Sequence, residues 1–443
     1  MKIEDLYNTY FENINSVQSY FNKFGSLAND EDNTIKHDKA KKIKEIINDI
    51  LSDDDTENLD SENDTDETFT EKSENNIIKT SEIELTEPEN FSKQEEPNEL
   101  EIPEEKSEEF DEFIEELFQE VDCRIKREHK INPRNYELLS RSSFLMLNNY
   151  FEYLLADLLN YYYNKFRKSL NDKEFKITLK ELTEFENIDE AIKSLIIKEV
   201  ESILVEKSFN DLLEHFEKKL SIGLEKELID WNKIIEIRER RHLIVHNSSI
   251  INKKYISRTG NPYKYKLGEE ISVDSVYFLQ ALNEFKLAGQ LLLFNCWGEW
   301  DKNNIDNAIY EIMVQTYEDL KNEKYNLVCK TYKFSERIEP RNDLQEDYLL
   351  RVKFNNAIAL KKQNLSNELK MALKEIKIGT STPIFKISYN ILNDNFENIE
   401  ELFQKAILLD EIIIDQYLEW PIFDFVRSNK AINDKLMNFF NNN

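Results

Sequence analysis

Apolar residues recur at intervals of three and four along most of this chain, so the pattern predicts helices and almost no strand. Residues 1–51 carry two such patterns. Leu6, Tyr10, Ile14, Val17 and Phe21 form the first, and Ile43, Ile46, Ile47 and Ile50 form the second after a polar break. The periodicity lapses and resumes at FDEFIEELFQEVDCRI, where Phe110, Phe113, Ile114, Leu117 and Val121 share one face. After Asn132-Pro133, residues 136–166 are apolar around most of the circumference, which predicts a central, buried helix. ITLKELTEF opens a helix or loop, and Ile188 starts another helix. Helices are then predicted through IKSLIIKEVESILVE, FNDLLEHFEKKL and LEKELIDWNKIIEIRERRHLIVH, the last stopping at Asn247-Ser248-Ser249. Gly260, Pro262 and Gly268 predict an irregular loop over 250–275, with Asp274 placed to cap the strongly apolar helix that follows.

From about residue 305 a second helical array is expected. Ala372 and Ala406 lie 34 residues apart in similar helices, NELKMALKEI and IEELFQKAIL. That period suggests paired-helix repeats of tetratricopeptide type, with irregular hairpins as the alternative. Trp420-Pro421 should break one helix before a final one. Four regions result: short helices over 1–51, a tether over 52–108, a helical bundle over 109–305 and a helical array over 306–443. The fold class is all-α, in keeping with only 7 glycines and 8 prolines among 443 residues.

Charge separates the tether from the rest. The formal net charge is −30, and most of that excess falls in 53–109, where Lys72, Lys79, Lys93 and Lys106 are the only cations. Low hydrophobicity, one-sided charge and Pro88, Pro97 and Pro103 predict disorder there. Around residues 233–266 the sign reverses. Lys233, Arg238, Arg240, Arg241, Lys253, Lys254, Arg258, Lys264 and Lys266 face only Glu236 and Glu239. Because salt screens charge beyond roughly 8 Å, the local sign governs binding, and a polyanion suits this stretch. The acidic N-terminus lacks a signal-peptide core, and no apolar run reaches the ~20 residues of a membrane span. Cys123, Cys296 and Cys329 follow no ligand or disulfide spacing. A soluble, cytoplasmic protein is therefore expected, with no membrane contact.

Two of the five histidines, His242 and His246, sit beside Arg238, Arg240 and Arg241 at the end of an apolar helix. An imidazole titrates near neutrality and can take a proton from a ribose 2′-OH, while an arginine can grip a phosphate and offset developing charge. The set suits metal-free cleavage of an RNA phosphodiester. His242 and His246 share a face at i, i+4. Arg241 and His246, five positions apart, diverge by about 140° on a regular helix. They converge only if the helix loosens at Val245–Ser248 or a second copy completes the site. Three other readings stand beside this one. A zinc site lacks the HExxH glutamate, because Leu243 stands in its place. A structural helix end and a basic docking surface without chemistry also account for the residues. Upstream, Glu152 and Asp157 stand out in an apolar helix, and for Glu152 reaching the rim or pairing with an arginine is the plainer expectation beside a catalytic role.

The stretch RRHLIVHN resembles the signature of the HEPN superfamily, R-φ-x3-H with φ usually Asn, Asp or His. Here the pattern reads Arg241, His242, Leu243-Ile244-Val245 and His246, followed by Asn247. The helix containing SSFLMLNNYFEYLLADLL is similar to the first core helix of such domains, and the resemblance covers about residues 109–300. It implies a four- to five-helix bundle that dimerises with its two motifs facing each other. Many members are metal-independent endoribonucleases leaving 2′,3′-cyclic phosphates, found in toxin–antitoxin, abortive-infection and antiphage systems. By this resemblance Arg241 and His246 are the catalytic pair and His242 the auxiliary polar residue, with no cofactor. Arg238, Arg240, Asn247, Lys253 and Lys254 are expected to contact RNA. A homodimer is expected, with a protein trigger or antitoxin at the C-terminal helical region. The alternative is a non-catalytic scaffold that binds RNA or a protein.

Overall fold

The computed structural model describes residues 2–53, 135–379 and 382–441. The tether expected over 52–108 falls almost wholly outside these residues, as do the helix expected from Phe110 and Cys123. The chain divides into two compact units, Met1–Ser26 with Tyr136–Asn443, and Leu27–Asn135. In the second, the backbone N–H of Asn135 donates to Asp32 at 3.2 Å and its side chain to Glu31 at 3.4 Å.

Residues 1–51 do not form two helices. A single helix, α1, runs Ile3–Asp53. The polar run between the two apolar patterns contains no proline and a single glycine, Gly25, which costs only about 1 kcal/mol in a helix, so the run interrupts the apolar face without stopping the backbone. Within the first unit, Ile3, Leu6, Tyr7, Tyr10, Phe11, Ile14, Val17 and Phe21 bury one stripe of α1.

That stripe lies on α8 (Ser275–Trp300), and the two meet through aromatic side chains. Phe21 stacks on Phe278 at 4.1 Å between centroids, Tyr7 stacks on Phe294 at 5.6 Å, and the Tyr10 hydroxyl donates to the Phe285 carbonyl at 2.7 Å. Tyr10 fits over Gly289, where a Cβ would overlap its ring. Gly289→Ala is therefore expected to destabilise the protein by about 1–3 kcal/mol through overpacking, outweighing the roughly 1 kcal/mol that alanine gains over glycine in helix propensity. A thermal melt of the variant at or above the wild-type midpoint would show that Tyr10 moves aside freely.

The helix expected to be central, α2 (Asn135–Lys165), is present and 13 of its 31 residues are buried, yet Leu138, Met146 and Tyr153 stay exposed along it. The central helix is α8 instead. Every residue from Phe285 to Phe294 is buried, including Lys286 and Gln290. Pattern alone did not separate the two, because α2 and α8 are both apolar all round and only tertiary packing decides which is enclosed. Between them come the short α3 (Leu179–Thr183), α4 (Ile188–Glu206), capped by Asn187, and α5 (Phe209–Lys218), capped by Ser208.

The Tyr163 hydroxyl on α2 sits 2.8 Å from His215 Nε2 on α5. Burial, then Lys207, Lys173 and Lys219, push the His215 imidazole from 6.5 down to about 4, against the nearby Glu199. The folded state thus resists protonation of a group that the unfolded state protonates readily. Its contribution is present above pH 6.5 and is lost as pH falls toward about 4. Urea midpoints are expected to drop more steeply across this window for wild type than for His215→Gln. Parallel pH profiles would remove His215 from the acid response.

Helix α6 (Trp231–His246) begins later than its apolar pattern suggests. Asp230 caps it by accepting from the Lys233 N–H, and the Trp231 indole donates to the Leu224 carbonyl at 2.7 Å. The indole bond holds the preceding residues as a non-helical turn. After α7 (Lys253–Thr259), Asp274 caps α8 as expected.

Beyond Asp301 the chain is a series of helix pairs. These are α9 (Ile305–Lys321) with α10 (Tyr325–Ser335), α11 (Asp343–Lys362) with α12 (Ser366–Glu375), and α13 (Pro383–Leu392) with α14 (Ile399–Leu408). Ala372 and Ala406 fall in the second helices of consecutive pairs. Glu323, Asn364, Asp394 and Asp410, each two residues beyond a helix end, all take positive φ, so one turn chemistry recurs. The helix α15 (Ile414–Glu419) ends before Trp420-Pro421, and α16 (Asp424–Arg427) and α17 (Lys430–Asn441) close the chain. Two buried polar contacts tie the first pair to α8: Lys286 with Asp319 at 2.6 Å, and Gln290 with Thr331 at 3.0 Å. Among the described residues there is no strand, only an isolated bridge between Ile250 and Glu270.

Candidate active site

Ile234, Ile237 and Leu243 bury one face of α6 and fix its rotation. The helix stays regular through His246. Asn247 then caps it, its N–H donating to the Leu243 carbonyl at 2.9 Å and its side-chain amide to the Ile250 carbonyl at 2.5 Å. Ser248 and Ser249 follow at φ +49° and +63°, an uncommon conformation for serine that reverses the chain. Ile251, Tyr255 and Ile271 then pack on Leu243, so a small core of its own holds the turn and α7 against the motif.

The three arginines of the motif do different things. Arg238 is ion-paired with Glu152 at 3.0 Å and lies over the Phe209 ring at 4.4 Å. This is the arginine partner expected for Glu152, and it occupies much of Arg238. Arg240 is 2% exposed. Its Nε donates to Glu236 at 2.9 Å, one terminal nitrogen to the Ser272 carbonyl at 2.7 Å, and its guanidinium stacks on Tyr277 at 3.6 Å. The expectation that Arg240 contacts RNA is therefore corrected: a polyanion at the surface does not reach it. Arg241 is half-buried, pairs with no carboxylate among the described residues, and its Nε is buried without a hydrogen-bond partner. It is the motif arginine without a carboxylate partner among the described residues.

His242 is half-buried and His246 exposed, with ring centroids 4.8 Å apart and planes at 49°. Desolvation, then the charge of Lys254, push His242 below its usual range, so it favours the neutral form that accepts a proton. Lys253 and Lys254 are exposed on α7, on the far side of the turn. Asn247 has a second role besides any contact with RNA, since its amide holds the turn. Because α6 does not loosen before His246, Arg241 and His246 leave the helix about 140° apart. One chain alone does not bring them to one point.

The pattern of cations concealed Glu236. It accepts from Arg240, from the Tyr255 hydroxyl at 2.7 Å and from the Tyr277 hydroxyl at 2.5 Å, with Lys233 at 3.7 Å. This network ties α6 to α7 and to the start of α8. The spacing of Glu236 and Arg240, i and i+4, was the available signal. Glu239 is likewise taken up, by Arg258 at 2.7 Å.

Among the described residues, no three His, Cys, Asp or Glu side chains gather as metal ligands would, and no helix is long and apolar enough to cross a membrane. Compared with known protein families, curated proteins and solved structures, the chain matches none.

Proposed function

We propose that the chain is a metal-independent endoribonuclease. The ribose 2′-oxygen attacks the adjacent phosphorus while His246 takes its proton, and Arg241 holds the phosphate as charge builds on it. The bond to the 5′-oxygen breaks, that oxygen takes up a proton, and a 2′,3′-cyclic phosphate remains. His242, packed on His246, keeps that ring in place. One observation carries the reading: Arg238 and Arg240 are ion-paired with carboxylates, whereas Arg241, the motif's arginine, is not, and the motif's two histidines pack on each other. Lys253 and Lys254 extend the positive surface along the RNA backbone. The likeness of RRHLIVHN to the HEPN signature points to the same residues.

The 140° divergence makes a second copy part of the proposal, with Arg241 from one protomer facing His246 from the other. Leu138, Met146 and Tyr153, exposed along α2, offer apolar surface for that homodimer. The C-terminal helix pairs, read as tetratricopeptide-like, would take a protein trigger or antitoxin in an antiphage or abortive-infection system. The same divergence favours a second reading if the protein is monomeric, namely a scaffold that binds RNA or protein without cutting. The deciding experiment is cleavage of total cellular RNA in EDTA by wild type and His246→Ala, with end analysis for cyclic phosphate. Cutting by neither, together with equal growth on expression, would leave the scaffold, and cutting by both would take the chemistry away from His246.

A further inference from the structure

A polar cleft of about 590 Å³ lies well apart from the motif, between the N-terminal part of α1 and helix α9. Its two walls are matched stripes at i, i+3, i+7. Asn15, Gln18 and Asn22 come from α1, and Gln315, Glu318 and Asn322 from α9 and its end. The floor carries two lysines. Lys286, 4% exposed, pairs with Asp319 at 2.6 Å. Lys324 donates to the Gln18 side-chain carbonyl at 3.0 Å and has no carboxylate ion pair among the described residues. With Lys23 on the rim, three cations face the acids Glu318 and Asp319 in a chain whose net charge is −30. A cation surplus in a recess walled by amides is unusual for so acidic a protein.

We propose that this cleft binds a nucleoside polyphosphate, its phosphates on Lys324 and on Lys23 at the rim, and its base read by the facing amides. Lysines bind phosphate as point charges, and Asn or Gln side chains present the donor–acceptor pairs that match base edges. The volume falls within the range of small-molecule sites. Burial, with Lys286 beside it, also pushes Lys324 from 10.5 down to about 8. The nearby Asp319 is taken up by Lys286, so the half-desolvated Lys324 ammonium gains from an arriving anion. The acids and cations facing Lys324 are Glu318 and Asp319 on α9, Lys286 on α8 and Lys23 on α1. The site stands independently of the ribonuclease reading.

The test is isothermal titration of the full chain with ATP and with inorganic tripolyphosphate. ATP should bind more tightly than tripolyphosphate, with proton uptake near pH 8. Its affinity should fall about 10-fold between pH 7 and pH 9 as Lys324 loses its proton. Lys324→Met should weaken ATP about 10-fold or more, while Lys324→Arg should keep the affinity and lose the pH dependence. Asn15→Ala and Asn22→Ala, on the exposed rim, should weaken ATP and leave tripolyphosphate unchanged. Thermal melts confirm that each variant is folded, and Arg241→Ala should bind ATP as wild type does. No ATP binding by wild type, equal binding by folded Lys324→Met, or tripolyphosphate as tight as ATP would each overturn the proposal.

Discussion

Arg241→Ala and His246→Ala are each expected to lower the rate of RNA cleavage about 100-fold or more, with little change in thermal stability. A positioned general base contributes about 10²–10⁴ in rate, and a donor aimed at developing charge contributes about 10²–10³. Neither side chain holds the fold together. His246 is exposed at a helix end, and Arg241 has no carboxylate to strand when removed. The two variants also report on geometry. If each site takes Arg241 from one copy and His246 from the other, a mixed dimer has one site intact and one lacking both groups. An equal mixture should then recover about a quarter of wild-type activity, since about half of the randomly paired dimers are mixed. A mixture as inactive as its components, from subunits shown to exchange, would place both groups of a site on one chain and contradict the regular α6. Lys253→Gln and Lys254→Gln supply a contrast. They should weaken RNA binding and flatten its salt dependence without changing the chemistry.

How much of this was legible in the sequence varies with the physics of each feature. Helices α2, α4, α5 and α8 were legible because their buried faces repeat every three to four residues, and Asp274 because a capping oxygen must stand just before such a run. The continuity of α1 was not, since loss of an apolar face resembles a helix end when only hydrophobicity is followed. Nor was the start of α6. LEKELIDW carries helix-forming residues, but the Trp231 indole bond to Leu224 and the cap by Asp230 hold it as a turn. The motif shows the limit most clearly. Arg238, Arg240 and Arg241 are equivalent in composition, and successive residues differ by about 100° in direction on the helix. Which of them meets Glu152, which meets Glu236 and which meets neither depends on partners 86 and 4 residues away and on the core that sets the helix rotation. Local charge located the basic stretch. It did not tell an arginine that builds the fold from one without a carboxylate partner.

That division gives the largest expected effect on stability. Glu236→Gln should destabilise the protein by about 3–5 kcal/mol, because it leaves the Arg240 guanidinium charged and enclosed without its counter-ion. Glutamine keeps the volume, so the loss is electrostatic and not a cavity. The Tyr255 and Tyr277 hydroxyls donate to different oxygens of the carboxylate, so glutamine also brings an N–H₂ group against one of them. Arg240→Met should behave differently when combined with it. With both charges gone, Tyr277 and the aliphatic lining can close around a methionine, and the double variant should recover much of the loss. Replacing a buried pair by apolar residues is often neutral or better. Urea midpoints for the wild type, the two single variants and the double variant form the cycle that measures the coupling. A single Glu236→Gln within about 1 kcal/mol of wild type would mean that water reaches Arg240 and that the network is not closed. If the large loss is seen, the order of dependence is fixed. Arg240 and Glu236 hold α7 and the turn after His246, and the proposed ribonuclease residues Arg241, His246, Lys253 and Lys254 stand on the surface that this buried pair keeps in place.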